Sequence, residues 1–103
     1  MAQAAIDPEV KIKASAPSSA ISITLKLFAS LSGYLPEGAK RNQVELTVPV
    51  GSTPASIISS LRLPIELCAL VVINGVFVRV ADRSARQLVE GDVLAMWPPI
   101  AGG

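Results

Sequence analysis

Between Gly51 and Pro64 the chain carries one short helix whose two ends are both marked in the sequence. Thr53 is a residue type that caps helix N-termini. Pro54 suits the first helical position, where its missing N–H would be unpaired anyway, and Pro64 forces a stop near Arg62 or Leu63. Ala55, Ile58 and Leu61 recur at helical spacing, with Ile57 widening the stripe, while Ser56, Ser59, Ser60 and Arg62 face away. A helix this short with a single apolar face needs a sheet to cover.

The strands for that sheet lie on both sides of the helix in the chain. Ile21, Ile23, Leu25 and Leu27 alternate with Ser22, Thr24 and Lys26, a period of two with one buried and one wet face, and Phe28 falls on the wet face. The segment Ala29 to Asn42 reads as a long surface loop with a helical turn near Leu31, and Gln43 to Val48 as the antiparallel partner of the first strand. After the helix, Leu67 to Ile73 is a nearly continuous apolar run, predicting a strand buried on both sides or at the sheet centre. Asn74-Gly75 predicts a hairpin between Val71–Ile73 and Val76–Val78. A polar connection from Arg79 to Gln87 and a turn at Glu90-Gly91-Asp92 lead to the last strand, Val93 to Trp97. The order strand, strand, helix, strand, short strand, strand predicts an α+β domain: a mixed four- to five-stranded sheet with one main helix on one face.

With 103 residues the chain is one domain, and with 50% hydrophobic but only 4% aromatic residues its core must be built from Val, Ile, Leu and Ala. A net charge of +1 argues against nucleic acid and membrane as partners. The single cysteine, Cys68, rules out an internal disulfide, and the lack of histidine leaves no conventional metal cluster and no nucleophile–base–orienter set. The composition fits the cytoplasm and a substrate, carrier or subunit that is not self-sufficient in catalysis. Residues 1–20 read as a flexible N-terminal extension, 21–97 as the folded domain, and 98–103 as an extended arm.

The arm carries the chemistry. Pro98-Pro99 ends the last strand and sends the chain outward, and at about 3.1 Å per residue the stretch from Pro98 through Ile100 and Ala101 to Gly103 reaches roughly 19 Å. Gly102 and Gly103 let its tip pass a channel too narrow for any Cβ. The reactive group it delivers is the α-carboxylate of Gly103, which becomes an electrophile once activated as an acyl adenylate.

Three stretches resemble the MoaD/ThiS family of ubiquitin-like sulfur carriers: Leu25-Lys26-Leu27-Phe28-Ala29; Val72-Ile73-Asn74-Gly75; and Leu88-Val89-Glu90-Gly91-Asp92-Val93 leading into Trp97-Pro98-Pro99-Ile100-Ala101-Gly102-Gly103. The resemblance covers Ile21 to Gly103 and implies the ubiquitin-like β-grasp fold, in which the first and last strands lie parallel and adjacent at the sheet centre. It also implies a chemistry. An adenylating enzyme of the ubiquitin-activating type, using ATP, activates Gly103, and sulfur from a persulfide donor then gives a thiocarboxylate. The arm delivers that sulfur inside a synthase, and no cofactor is bound by the carrier itself. Pro98-Pro99 resembles the molybdopterin synthase small subunit more than the thiamine carrier. That makes the synthase large subunit the implied partner and a molybdenum or tungsten pterin the implied product.

Alternation puts Phe28 on the helix-free face, and Trp97 too if Leu94 and Met96 point to the core. With Phe77 they match positions where family members present an apolar docking patch. Cys68, in an apolar stretch without a flanking cation, reads as a buried, inert thiol; Lys40 and Arg41 read as a solvated loop; Asp92 reads as a residue that shapes a turn. Two further functions stay open: a ubiquitin-like modifier, in which a lysine attacks the activated Gly103, and a β-grasp binding module with an incidental tail. A thiazole sulfur carrier remains within the first reading.

Overall fold

A computed structural model describes residues 20–99. The expected N-terminal extension, apart from Ala20, and the segment 100–103 lie outside the described residues. The elements follow in the order β1 (Ala20–Leu27), β2 (Gln43–Pro49), α1 (Pro54–Ser60), β3 (Leu70–Ile73), β4 (Val76–Phe77) and β5 (Val93–Trp97). They build one five-stranded sheet of order β2-β1-β5-β3-β4. The first and last strands pair in parallel, and every other neighbouring pair is antiparallel.

The register explains why β5 holds the domain together. Leu94 stands between Leu25 of β1 and Ile73 of β3, and Met96 stands between Leu27 and Val71. All six side chains are at most 2% exposed, so two apolar rows cross three strands beneath the helix. Ile57 and Ile58 of α1 close over this layer with Leu31, Val48, Leu63, Cys68, Val78 and Leu88. Each such side chain contributes about 1.5–3 kcal/mol by leaving water.

Helix α1 begins as Thr53-Pro54 predicts. Thr53 Oγ1 accepts from Ser56 N–H at 3.2 Å, while Ser56 Oγ accepts from Thr53 N–H at 2.9 Å, so a serine completes a reciprocal cap usually made by a glutamate. Its buried stripe is Pro54, Ile57 and Ile58, whereas Ala55 and Leu61 are half-buried. The expected stripe centred on Ala55, Ile58 and Leu61 is therefore rotated toward Ile57, because the helix is only seven residues long and leaves Leu61 beyond its last turn as the C-cap. It stops at Ser60, before Pro64 has any need to act. Arg62 turns left-handed at φ 57°, Arg62 N–H bonds Ser59 O, and Leu63 N–H reaches back to Ile58 O. These two bonds are a Schellman closure with arginine in the position that usually takes glycine.

Two other expectations change. The loop after β1 contains a six-residue 3-10 helix, Ala29–Tyr34, whose Leu31 is fully buried, so part of this stretch belongs to the core. The apolar run from Leu67 to Ile73 is a strand only from Leu70, and it is not buried on both sides: Leu70 is 39% exposed and Val72 half-buried. The helix covers one face of the sheet and leaves the other open, so a continuous apolar run here marks an uncovered face rather than a second layer. The Asn74-Gly75 hairpin forms as expected, with positive φ at both residues (52° and 83°), the left-handed pair that a two-residue turn with the twist of the strands requires.

Candidate functional site

The candidate site lies at the end of the sheet where β1 and β5 finish side by side. Parallel pairing carries Leu27 against Met96, and Phe28 N–H continues the ladder to Met96 O at 3.2 Å. Because Leu25, Leu27, Leu94 and Met96 point into the core, Phe28 and Trp97 project from the helix-free face. Their rings stack with centroids 4.6 Å apart and planes 7° from parallel. Such a pair contributes about 0.5–1.5 kcal/mol beyond the area it buries. Both rings are half-buried, so the wet position expected for Phe28 is sheltered on one side by Trp97.

The same face extends across β3 and β4. Leu70 pairs with Trp97, while Ala95 pairs with Val72, which pairs in turn with Phe77. Phe77 is 55% exposed on the short edge strand. The described structure thus brings Phe28 and Trp97 into contact and puts Phe77 on the same apolar face, across Val72. Leu70 and Val72 belong to this face and were not expected there. The signal for them is the hairpin: once Asn74-Gly75 fixes the turn, Val72 must stand opposite Phe77. On the β1 side the face turns polar, with Lys26 beside Ala95 and Gln43 beside Lys26.

The chain leaves this face through Pro98, half-buried, and Pro99, exposed. Trp97 O accepts from Ala69 N–H at 3.0 Å, the last ladder bond before the prolines remove further donors. The expected tip of the arm, Ile100, Ala101, Gly102 and Gly103, lies outside the described residues.

The opposite end of β5 is held by a polar clasp. Asp92 is 3% exposed, and its carboxylate accepts from Val89 N–H and from Asn74 Nδ2, each at 2.8 Å. Asn74 Oδ1 accepts from Val93 N–H at 2.8 Å, and Gly91 N–H donates to Ser22 O at 2.8 Å. One turn thereby ties β1, the hairpin and β5 together, which is the turn-shaping role read for Asp92. Cys68 is 2% exposed; burial, only partly offset by the nearby Arg83, raises its pKa above the ordinary thiol value and keeps it protonated. Among the described residues no group of three His, Cys, Asp or Glu side chains could hold a metal ion, and no helix is long and apolar enough to cross a membrane.

This architecture is the ubiquitin-like β-grasp: a mixed sheet with parallel first and last strands and one main helix on one face. Solved structures with the same fold include the HVO 2177 protein of Haloferax volcanii, with TM-score 0.70 and 23% identity over 88% of this chain and 94% of that one. The small archaeal modifier protein 1 of Methanosarcina acetivorans gives 0.55 and 20% identity, over 82% of this chain and 98% of that one. A Pyrococcus furiosus protein proposed to be subunit 1 of a molybdopterin converting factor gives 0.53 and 20%, over 78% and 99%. No protein-family model matches the sequence, and no curated protein matches it.

Proposed function

We infer that the chain is a sulfur carrier whose C-terminal glycine is adenylated, converted to a thiocarboxylate and used to sulfurate a molybdenum or tungsten pterin precursor. The observation that carries this reading is the root of the arm. β1 and β5 end together at the stacked Phe28 and Trp97, on an apolar face, and the chain leaves that point through two prolines toward Gly102-Gly103. A partner gripping Phe28, Trp97 and Phe77 would hold the base of the arm, so that its reach of roughly 19 Å is spent entering the partner's active site. The domain then supplies grip and direction. The adenylating enzyme supplies ATP chemistry, a persulfide donor supplies sulfur, and the synthase large subunit receives it, all in the cytoplasm. Likeness to the Pyrococcus furiosus protein supports this reading.

Likeness to a small archaeal modifier protein supports a second reading, in which a lysine amine attacks the same adenylate and forms an isopeptide bond. Both readings need the same activated carbonyl. They part at the nucleophile.

The test is the intact mass of the protein after incubation with an adenylating enzyme of the ubiquitin-activating type, ATP, a persulfide donor, which displaces AMP to leave an acyl disulfide, and a thiol reductant, which cleaves that disulfide to the thiocarboxylate. Exchange of one Gly103 oxygen for sulfur is the expected result. A conjugated lysine would favour the modifier, and an unchanged carboxylate would sink both. Appending one alanine after Gly103 should abolish the exchange while leaving the melting temperature where it was, since the arm adds no residue to the described core.

A further inference from the structure

On the helix side of the sheet an apolar cleft surrounds a buried charge. It has a volume of about 220 Å³ and is lined by Ala55 and Ile58 of α1 together with Ile65, Val80, Arg83 and Ser84. Ile65 and Val80, on the rim of this cleft, are 74% and 71% exposed, the two highest values among the large apolar side chains described. Arg83 is 7% exposed. Its Nη2 donates to Ala69 O at 3.3 Å, and its Nε finds no acceptor. The ion pairs among the described residues, Arg79 with Asp82 and Arg86 with Asp92, do not include it. A guanidinium removed from water against a single neutral carbonyl is poorly compensated, and an anion beside it would relieve that cost.

The position of this cleft indicates where the anion comes from. The Ala69 carbonyl that holds Arg83 belongs to the residue whose N–H bonds Trp97 O at 3.0 Å. Following those bonded groups, the guanidinium lies no more than about 10 Å from the root of the arm. The stretch from Pro98 onward spans roughly 19 Å when extended, so its end can come back to the cleft. Residues 100–103 also match the cleft's chemistry: one branched apolar side chain, Ile100, then small residues, then the carboxylate that the carrier reading places at Gly103.

We propose that this cleft is a resting site for the chain's own C-terminal segment, with Ile100 between Ile65 and Val80 and the Gly103 carboxylate beside the Arg83 guanidinium. The contact need not be strong. A segment tethered this closely experiences an effective concentration in the millimolar range, so a site of about 1 mM affinity is occupied roughly half of the time or more. The same weakness keeps the terminus available, because a partner that takes the extended arm then loses only about two-fold in apparent affinity. The proposal goes beyond the carrier reading and rests on it only for the Gly103 carboxylate, not for its activation, since an unmodified carboxylate is enough.

The experiment is solution NMR on the full chain without any partner. The expected result is methyl contacts between Ile100 and both Ile65 and Val80, unchanged on dilution, with an order parameter for the Gly102 amide above about 0.6. Val80→Asp, a change at an exposed side chain that leaves the core alone, and separately conversion of the terminal carboxylate to an amide should each drop that order parameter below about 0.6. Absence of the contacts in the unaltered chain would overturn the proposal. So would contacts that fade on dilution, which would make the occupant a second copy, or a Gly102 amide indifferent to amidation, which would leave Arg83 without a role. Because nothing is activated or transferred, failure of the carrier chemistry would not alter any of these results.

Discussion

Replacing Asp92 by alanine should cost the domain about 3 kcal/mol. The carboxylate accepts two hydrogen bonds of 2.8 Å from a position 3% exposed, one from Val89 N–H and one from Asn74 Nδ2. Hydrogen bonds to a charged group are worth about 1.5–3 kcal/mol each, and a buried donor left unpaired costs about 1–3 kcal/mol. Against these stands relief from burying a charge, whose cation Arg86, at 3.6 Å and itself 40% exposed, contributes little. The balance near 3 kcal/mol corresponds to a fall in melting temperature of about 15 °C for a domain of this size. Asp92→Asn keeps one acceptor oxygen and should cost about half as much. The assay is urea unfolding followed by the fluorescence of Trp97, the chain's single tryptophan, with the midpoint moving and the slope unchanged. The double variant with Asn74→Ala should show a coupling of about 1 kcal/mol, since the two side chains share one bond. An Asp92→Ala variant losing less than about 1 kcal/mol, or an asparagine variant worse than the alanine one, would refute the claim that this carboxylate clamps the start of β5.

Arg62→Gly should stabilise the domain by about 0.5–1 kcal/mol, because the left-handed position at φ 57° strains arginine and not glycine; thermal melting checks it. Phe77→Asp, at a side chain 55% exposed, should leave the melting temperature nearly unchanged but, if the proposed function holds, weaken the complex with a synthase large subunit by about 2 kcal/mol, roughly thirty-fold, in a calorimetric titration. Cys68 should alkylate far more slowly in the native protein than in urea at pH 8, read by mass. Its raised folded pKa also has a linkage consequence: the unfolded chain loses the thiol proton first, so this group's stabilisation is complete below the unfolded thiol pKa. It is lost as pH rises from there through the folded value, visible as a falling urea midpoint in alkali.

The elements most legible in the sequence were those whose signal is local. Ile21 to Leu27 could only be a one-sided strand, Thr53-Pro54 could only open a helix, and Asn74-Gly75 could only be a tight turn, since each is dictated by the steric needs of a few consecutive residues. The aromatic pair was half legible. Alternation sent Phe28 and Trp97 to the same face, but their contact at 4.6 Å depends on the stagger between two strands that are distant in the chain. Leu31 and Arg83 were hidden for a related reason. Each sits in a stretch whose neighbours are polar or small, and each is buried by segments that nothing in its own vicinity announces. Leu70 was misread because an apolar run looks the same whether a second layer covers it or water does.

The pairing of β1 with β5 also sets an order of events during synthesis. Leu25 and Leu27 emerge early, but the partners that bury them, Leu94 and Met96, belong to the last strand described. Until β5 is made, the central sheet rows have a gap through their middle, and contacts between such distant positions form slowly because a long loop must close first. A chain interrupted before Val93 therefore has no route to the native sheet and is left to proteolysis. Assembly of the domain and completion of β5 are one event, so every molecule that folds has already made the strand that leads into Pro98-Pro99.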